Sequence, residues 1–255
     1  MLRGLYTAAA GMLATTTSVD TLASNLANVN TVGFKGNKLN FQTFPQMLIS
    51  KMDGEGQTPV GSIMTGSKVY QSFMNFTAGS IHETGNTFDL ALHGDGFFTV
   101  KSAADGKEYY TRAGNFTINA QGFLTTTNGD FVQGKLGNIQ VKLDDGPFSI
   151  TGQGSISGKG RQIDQLLITR FKDNQSLEKV TENLFQATPN SEKLPPAQAV
   201  GYKVQQGALE GSNVNPISEL VNNIQGMRLY EALQKNIHMH NEALGKAVND
   251  VGKSR

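Results

Sequence analysis

The sequence lacks cysteine and tryptophan entirely, and it carries little charge of either sign. Without cysteine, the chain cannot form a disulfide, use a thiolate nucleophile or bind a metal through thiolates. Charged residues make up 17% of the chain and give a net charge of +1, whereas nucleic-acid binders usually show a clustered basic face. No apolar run approaches the roughly 20 residues that span a bilayer. We therefore expect no nucleic-acid partner and no direct membrane insertion.

A recognisable catalytic or ligand-binding pattern is also missing. The glycine-rich stretch at 152–160 fails the phosphate-loop pattern, because Gln153 and Gly160 stand where glycine and serine or threonine are required. His238 and His240 are two residues apart in a helical region and so point to different faces. We therefore predict that the protein is not an enzyme and has no catalytic residue, no bound cofactor and no metal site.

Helical periodicity is the clearest pattern at the N-terminus. Apolar or small residues recur at heptad spacing over residues 3–28, which predicts a helix roughly 40 Å long. The seam positions are Leu5, Met12, Val19 and Leu26 and, three residues further on, Ala8, Thr15, Leu22 and Val29. Because alanine and threonine fill part of this seam, it is shallow. Glycine, threonine and tyrosine interrupt the apolar run, so we interpret the segment as part of the mature protein rather than a cleaved signal peptide.

A second long helix is predicted from Pro216 to about residue 251. Asn215-Pro216 is a helix-start signal, because proline is pre-set for the first helical turn. The apolar stripe comprises Ile217, Leu220, Ile224 and Met227 and continues, set back by one position, with Tyr230, Leu233, Ile237, Leu244 and Val251. We interpret the setback as the drift of a helix that stays nearer 3.6 than 3.5 residues per turn. Gly226 and Gly245 either permit close backbone approach or mark weak points.

Between the helices the pattern changes to short apolar strands and turns. Asp105-Gly106 and Asn128-Gly129 are dipeptides typical of hairpin turns. Strands of about five residues at close spacing predict an antiparallel sandwich or barrel-like body. Residues 51–66 show no periodicity and are predicted to form a mobile surface loop. The predicted fold is mainly β with long terminal α-helices, divided into a helical domain of residues 1–35 and 212–255, a connector and loop at 36–75, and a β body at 76–211.

The narrow apolar stripes of the two helices suggest a function. A helix with so thin a seam gains little by packing on one partner and is marginal in water by itself. We therefore hypothesise that many copies pack these helices together as a coiled-coil layer, with the stripe residues as the assembly interface. Three alternatives stay open: a plain two-helix hairpin stabilised by the β body, a soluble coiled-coil adaptor that forms a closed oligomer, and a carbohydrate- or peptidoglycan-binding β protein.

Three segments carry a resemblance to a known family. The stretch SNLANVNTVGFK occupies Ser24–Lys35, a second motif spans Leu209–Ala232, and a third spans Phe88–Leu124. In this order they resemble the N-terminal motif, the C-terminal motif and the β core of the bacterial flagellar rod and hook axial proteins, the family of the FlgF and FlgG types. The terminal motif residues are Asn25, Asn28, Asn30, Gly33, Phe34, Lys35, Ser212, Asn213, Glu219, Arg228 and Glu231.

This resemblance implies a structural role. It implies a subunit of the periplasmic rod of the flagellar basal body, whose terminal helices pair as the inner coiled-coil layer of a helical tube that transmits torque from motor to hook. The implied partners are other copies of the chain, other rod and hook subunits, and the type III export apparatus. The chain length leaves little room for the inserted outer domain of the longer hook proteins. The opening MLRGLYTAAAGM and the stretch LEGSNVN look more like the FlgF type, whereas the rest of the chain fits the FlgG type, and we favour the FlgF type.

The end of the first helix follows from the same motif. Asn28, Asn30 and Gly33 can end a helix and adopt left-handed backbone conformations at low cost. We expect Phe34 to anchor the chain as it leaves the helix. A sharp end keeps the seam the same length in every copy, and a contact repeated with a fixed screw rotation builds an open helical tube.

Overall fold

The computed structural model describes residues 2–43, 47–53, 56–63, 66–141, 148–181, 183–194 and 201–252. Two long helices lie at the ends of the described chain, α1 at Leu2–Ala27 and α2 at Pro216–Gly252. The predicted pair of long terminal helices is therefore confirmed. Over the residues described, neither helix is both long and apolar enough to cross a membrane.

Short strands fill the chain between the helices, as predicted. The first ten are β1 Asn37–Thr43, β2 Met47–Asp53, β3 Gly56–Ile63, β4 Ser67–Met74, β5 Ile81–Glu83, β6 Leu90–His93, β7 Phe97–Lys101, β8 Glu108–Thr111, β9 Thr117–Ile118 and β10 Leu124–Thr125. The next ten are β11 Phe131–Gly134, β12 Gly137–Asn138, β13 Phe148–Ile150, β14 Ser155–Gly158, β15 Arg161–Gln165, β16 Ile168–Thr169, β17 Leu177–Lys179, β18 Leu184–Ala187, β19 Lys203–Gln206 and β20 Ala208–Glu210. A single 3₁₀ turn at Asn174–Ser176 is described beside them.

The chain divides into two compact units. The first, which we call the helical unit, comprises Met1–Leu26, Asn37–Phe73 and Asn215–Arg255. The second, the β unit, comprises Ala27–Gly36 and Met74–Val214. The N-terminal motif therefore contributes residues to both units.

The β unit is built on one large antiparallel sheet. Its strand order is β17-β18-β8-β7-β11-β10-β9, with β12 paired to β11 and β16 paired to β7. A three-stranded sheet, β13-β14-β15, and the pairs β19-β6 and β20-β5 complete the described strands of the unit. These sheets end in open edges and do not close on themselves among the described residues. The barrel-like part of the predicted fold is therefore wrong.

Strand β7 crosses the middle of the β unit and is covered on both faces. Phe98 and Val100 belong to the larger apolar cluster, and the Phe98 ring meets Phe116 edge-on at 5.3 Å between centroids. Phe97 points the other way, into a second cluster with Tyr110 and Phe185. A strand with apolar residues on both faces reads as a continuous run, Phe-Phe-Thr-Val, rather than as an alternating pattern.

Two strand pairs lie in the helical unit, where the sequence predicted a connector and a loop. β1 pairs with β4, and β2 pairs antiparallel with β3 from Met47 opposite Ile63 to Asp53 opposite Gly56. The expected mobile loop at 51–66 is therefore wrong for most of its length. A hairpin held by backbone hydrogen bonds needs no apolar periodicity, and Pro59 is accommodated where the register shifts.

The two helices run antiparallel within the helical unit and meet at glycines. A Cβ atom at Gly11 would lie 3.2 Å from a methyl carbon of Leu233, and one at Gly226 would lie 2.8 Å from a methyl carbon of Val19. Gly4 faces the ring of His240, and a Cβ atom at Gly4 would lie 2.9 Å from the Nε2 atom of that ring. The absence of side chains at these positions lets the helices approach closely. A regular coiled coil between them stays a prediction.

Three threonines of α1 use their hydroxyl groups in hydrogen bonds within the helix. The Oγ1 atoms of Thr15, Thr16 and Thr17 donate to the carbonyl oxygens four residues earlier, at distances of 2.8 to 3.0 Å. This local bonding removes the cost of leaving a hydroxyl unpaired. Thr15 is buried on the inner face of the helix together with Ala8, which the shallow predicted seam already suggested.

The two glycines inside α2 give a matched test of this close approach. In an exposed helix, Gly→Ala stabilises by about 1 kcal/mol. Gly245 has open space around it, so we expect Gly245→Ala to raise the free energy of unfolding of the helical unit by about that amount. Gly226→Ala must displace Val19, and we expect it to lose most or all of that gain. Thermal unfolding followed by helical circular dichroism measures both, and equal stabilisation by the two variants would contradict the packing described.

Candidate functional site

After α1 ends, the N-terminal motif continues through a turn that belongs to the β unit. The helix ends at Ala27, and the carbonyl of Asn28 accepts a hydrogen bond from the Thr31 amide at 3.1 Å. Gly33 has φ +68°, in the left-handed region, whereas neither Asn28 nor Asn30 adopts a positive φ. Of these three residues, only the glycine adopts the left-handed conformation. A Cβ at Gly33 would lie 2.3 Å from the Ala113 amide nitrogen, so no larger residue fits there without moving backbone.

The two residues after this turn are fully buried. Phe34 is inaccessible, and the Lys179 ammonium lies 4.4 Å from the centroid of its ring. The expected anchoring of the chain by Phe34 agrees with this placement. Lys35 is also buried, and its Nζ donates to Glu210 Oε1 at 2.7 Å and to the Thr77 carbonyl at 2.8 Å. A buried lysine is rare unless it is paired, so this ion pair is a specific feature of the site.

Glu210 is the centre of the site. Its Oε1 also accepts the Gly79 amide at 2.9 Å, and its Oε2 accepts Arg112 Nη1 at 3.2 Å. Its own carbonyl accepts the Gly33 amide at 2.8 Å. One residue at the end of β20 therefore holds the N-terminal motif, through Lys35 and Gly33, and the sheet, through Arg112. We call Lys35, Arg112 and Glu210 the buried triad.

Arg112 is fixed by groups besides the carboxylate. Its Nη1 donates to the Leu92 carbonyl at 3.1 Å and its Nη2 to the Gly94 carbonyl at 2.7 Å. Its guanidinium carbon lies 5.4 Å from the centroid of the Phe97 ring, within cation–π range. The guanidinium is therefore held in one orientation, which suits the planar fork of arginine better than it would suit lysine.

The charges of the triad do not cancel, because two cations face one carboxylate. Burial lowers the pKa of the Lys35 ammonium below its ordinary value of 10.5, while the Glu210 carboxylate opposes the shift. Burial likewise lowers the pKa of the Arg112 guanidinium, again against the attraction of Glu210. A buried ion pair is weak evidence of net stability, but removing one partner leaves an uncompensated charge. The geometry therefore makes Glu210 the residue whose loss matters most.

Asn213, from the C-terminal motif, ties the same segment to the irregular stretch that follows β4. Its Oδ1 accepts the Gly36 amide at 2.9 Å, and its Nδ2 donates to the Asn75 carbonyl at 2.6 Å and to the Thr77 carbonyl at 3.1 Å. The neighbouring Ser212 Oγ accepts the Val214 amide at 3.2 Å. The N- and C-terminal motif residues are thus brought together in the β unit.

Asn25 makes a similar set of hydrogen bonds to the backbone in the helical unit. Asn25 is buried near the end of α1, its Oδ1 accepts the Asn37 amide and its Nδ2 donates to the Asn37 carbonyl, both at 2.9 Å. At the start of α2, Asn215 Oδ1 caps the helix by accepting the amides of Ile217 and Ser218 at 3.0 and 3.2 Å. The asparagines of both motifs therefore act by hydrogen-bonding backbone.

The predicted assembly residues fall into two groups by exposure. On α2, Ile217, Leu220, Ile224, Met227 and Tyr230 are exposed, while Leu233, Ile237 and Leu244 are half-buried. On α1, Leu5, Met12, Val19, Leu22 and Leu26 are half-buried, and Val29 lies beyond the helix end. Of the remaining motif residues, Asn30, Arg228 and Glu231 are exposed.

This distribution gives a different account of the α2 stripe. At 3.6 residues per turn, the residues from 217 to 227 point roughly a third of a turn away from those from 230 to 244. The first group is exposed, while the second group includes Leu233, which packs at Gly11 of α1. The setback that we interpreted as helix drift is therefore a change from one face of α2 to another.

The sequence analysis did not identify Arg112 and Glu210, because they lie 77 and 175 residues away from Lys35 along the chain. It also missed Leu13 and Tyr6, whose side chains are 73% and 70% exposed on α1. A signal for Glu210 was present, since an acidic residue just before Ser212-Asn213 has to be paired if that segment packs in a core.

Glu210→Gln tests the buried triad. The amide keeps the shape of the side chain but leaves two buried cations without a counter-charge, so we expect a loss of about 3–5 kcal/mol in the free energy of unfolding. The matched control is Glu192→Gln, which breaks an ion pair to Lys172 whose side chains are both 70% exposed, and should cost at most about 1 kcal/mol. Urea unfolding of both variants compares them, and similar midpoints would contradict the role given to Glu210.

Known protein families match the same three segments of the chain. Residues 5–35 match the model of flagella basal body rod proteins, residues 91–158 that of the flagellar hook protein FlgE/F/G D1 domain, and residues 205–250 that of the flagellar basal body rod FlgEFG protein C-terminal region. The first and last of these contain Lys35 and Glu210, and the second contains Arg112. The triad thus takes one residue from each matched segment.

Relatives match over nearly the whole length. The chain is 33% identical over 251 residues to the flagellar basal-body rod protein FlgF of Caulobacter vibrioides, with 98% of both chains covered. It is 34% identical over 250 residues to FlgG of Agrobacterium fabrum, covering 92% of this chain and 94% of the relative. It is 32% identical over 268 residues to FlgG of Bacillus subtilis, covering 98% and 99%.

These relatives are flagellar basal-body rod proteins, and the alignment to the Caulobacter vibrioides protein covers both terminal helices and the β unit that carries the triad. The three matched segments also occur in the order that the sequence motifs predicted. The chain therefore belongs to the flagellar basal-body rod protein family.

Proposed function

We propose that the protein is a rod subunit that assembles through its terminal helices into a helical tube and transmits torque from motor to hook. The observation that carries this proposal is the exposed apolar face of α2. Ile217, Leu220 and Met227 are 74%, 50% and 54% exposed, although a soluble monomer rarely leaves contiguous apolar surface of this kind uncovered. Copies of the same chain can cover it when they pack side by side.

The low charge of α1 supports the same proposal. Between Arg3 and Asp20 the helix has no acidic or basic residue. The outer face of a surface helix usually carries charged residues, which α1 lacks over this stretch. Leu13 and Tyr6 on α1 are nevertheless exposed, so this helix too has surface for a neighbour.

Torque transmission requires that the chain be held firmly where it enters and leaves the β unit. The buried triad and Asn213 fix residues 33–36 to β20 and to the segment at 75–77 within that unit. Breaking a buried ion pair is costly, and displacing Gly33 would break its bond to the Glu210 carbonyl. Such a connection resists being pulled apart under load, which a flexible linker would not.

We propose that the subunit is of the FlgF type. Since 98% of 255 residues is about 250 residues, the 251-position alignment to Caulobacter vibrioides FlgF leaves almost no gaps in this chain. The alignment to Bacillus subtilis FlgG covers the same share of the chain over 268 positions and so needs insertions. The opening MLRGLYTAAAGM supports the same choice.

The proposed location is the periplasmic rod of the basal body, and the proposed partners are other copies of the chain and other rod and hook subunits. One similar protein, FlhO of Bacillus subtilis, is a flagellar hook–basal body complex protein, with 29% identity over 272 residues. We propose that export proceeds through the flagellar type III apparatus, as in the family that the terminal motifs resemble.

Ile224→Asp tests the assembly role of α2. Because Ile224 is 44% exposed, the charge stays in water in the single chain and we expect the far-ultraviolet circular dichroism spectrum to be unchanged. In the assembly the charge would be buried without a partner, which costs several kcal/mol per copy and should prevent polymerisation. Sedimentation of purified protein at high concentration measures the outcome.

The control for this experiment is Asn241→Asp, which adds the same charge to an exposed position 17 residues further along α2. It lies about 21 Å beyond Met227 and so outside the exposed apolar face. We expect it to sediment as the unsubstituted protein does. Polymerisation of Ile224→Asp at the control's level would rule out this face as the assembly surface.

A further inference from the structure

Helix α2 borders an apolar groove on the flank opposite its exposed stripe. The groove has a volume of about 630 Å³ and lies within the helical unit. Its walls include Thr7, Gly11, Ser18, Phe41, Leu229 and Leu233. We define the stripe as Ile217, Leu220, Val221, Ile224 and Met227, all of which are exposed.

The stripe and the groove face different directions. Ile224, in the stripe, and Leu229, in the groove wall, are five residues apart, which places them about 140° apart around the helix at 3.6 residues per turn. Leu229 is itself 53% exposed, so the groove is open to the outside. A single copy therefore presents one apolar surface on each flank of α2.

The two surfaces match in size and chemistry. The stripe extends over ten residue steps, or about 15 Å, and the α1 wall from Thr7 to Ser18 extends over eleven steps, or about 16 Å. The stripe offers branched or long apolar side chains, and the described residues that line the groove carry no charge. Because Thr7, Gly11 and Ser18 in its walls are small, the groove keeps open volume beside the contacts that Gly11 makes with Leu233 and Gly226 makes with Val19.

We propose that the stripe of one copy fills the groove of the next copy. The inference rests on the proposed function and specifies the contact through which the copies assemble. A contact between two different surfaces of the same chain is heterologous, and such a contact builds an open helical polymer, whereas a stripe-to-stripe contact would close as a dimer. A second copy is the occupant that the chemistry favours, because this chain supplies both halves of a charge-free contact of equal length.

The absence of cysteine makes the contact testable by cross-linking. One preparation carries Ile224→Cys in the stripe, and a second, of distinguishable mass, carries Ser18→Cys, Thr7→Cys or Leu229→Cys at the groove. The two are mixed, allowed to polymerise and treated with a short bis-maleimide. We expect heterodimers from at least one of these pairs at a yield about tenfold or more above the control, because a fixed contact raises the effective concentration of the two thiols.

The control replaces Ile224→Cys with Asn241→Cys, which is exposed on the same helix but lies 14 residues, or about 21 Å, beyond Met227 at the end of the stripe. Polymers that give only Ile224–Ile224 homodimers, or no stripe–groove product at any of the three positions, would overturn this inference and leave the proposed function standing. Failure of the unsubstituted chain to polymerise at all would overturn the proposed function, and this inference with it. The two failures are therefore distinguishable.

Discussion

Helix α2 carries more apolar surface than α1 can cover, and the assembly proposed for this protein depends on that constraint. The helices meet along Gly4, Gly11 and Gly226, where small residues allow close approach but bury little apolar area. The larger side chains from Ile217 to Met227 remain exposed on another face. Since apolar burial stabilises in proportion to the area removed from water, at roughly 25 cal/mol per Å², a chain that leaves this surface exposed gains from packing against further copies.

The β unit, in contrast, buries its apolar side chains within itself. It buries its own core on both sides of β7 and gathers the two chain segments that join it to the helices. Lys35 and Glu210 are 175 positions apart in sequence, yet their side chains meet at 2.7 Å with neither exposed to solvent. All of the groups that hydrogen-bond to the Glu210 carboxylate belong to the β unit. We therefore propose that the β unit is stable by itself while the helical unit completes its burial on assembly.

The sequence was sufficient to predict the elements whose signals are local. Heptad spacing predicted α1 at 3–28 and the Asn215-Pro216 pair predicted the start of α2, against observed helices at Leu2–Ala27 and Pro216–Gly252. Turn dipeptides predicted a body of short strands. The terminal motifs resembled the family to which the chain proved to belong, because they keep the asparagines and glycine that shape the backbone at the end of α1 and the start of α2.

The features that the sequence did not predict depend on contacts between distant residues. Periodicity showed that α2 has an apolar stripe but not that it changes face near Tyr230, because the change is set by which residues meet glycines of α1. The hairpin of β2 and β3 is held by backbone bonds, which leave no apolar pattern. Closure of the sheets into a barrel depends on pairing between edge strands. The partners of Lys35 could not be read from the motif, because Arg112 and Glu210 come from other segments.

The most direct measurement is amide hydrogen exchange on the dilute monomer and on the assembled polymer. In the monomer, we expect the amides of α1 and α2 to exchange through openings of low free energy, while those of Gly33, Gly36 and Gly211 in the β unit exchange only through larger unfolding. On assembly, protection should rise along both helices and most of all from Ile217 to Leu229. Helices that are already as protected in the monomer as the strands around Phe98 would contradict the claim that assembly completes their burial.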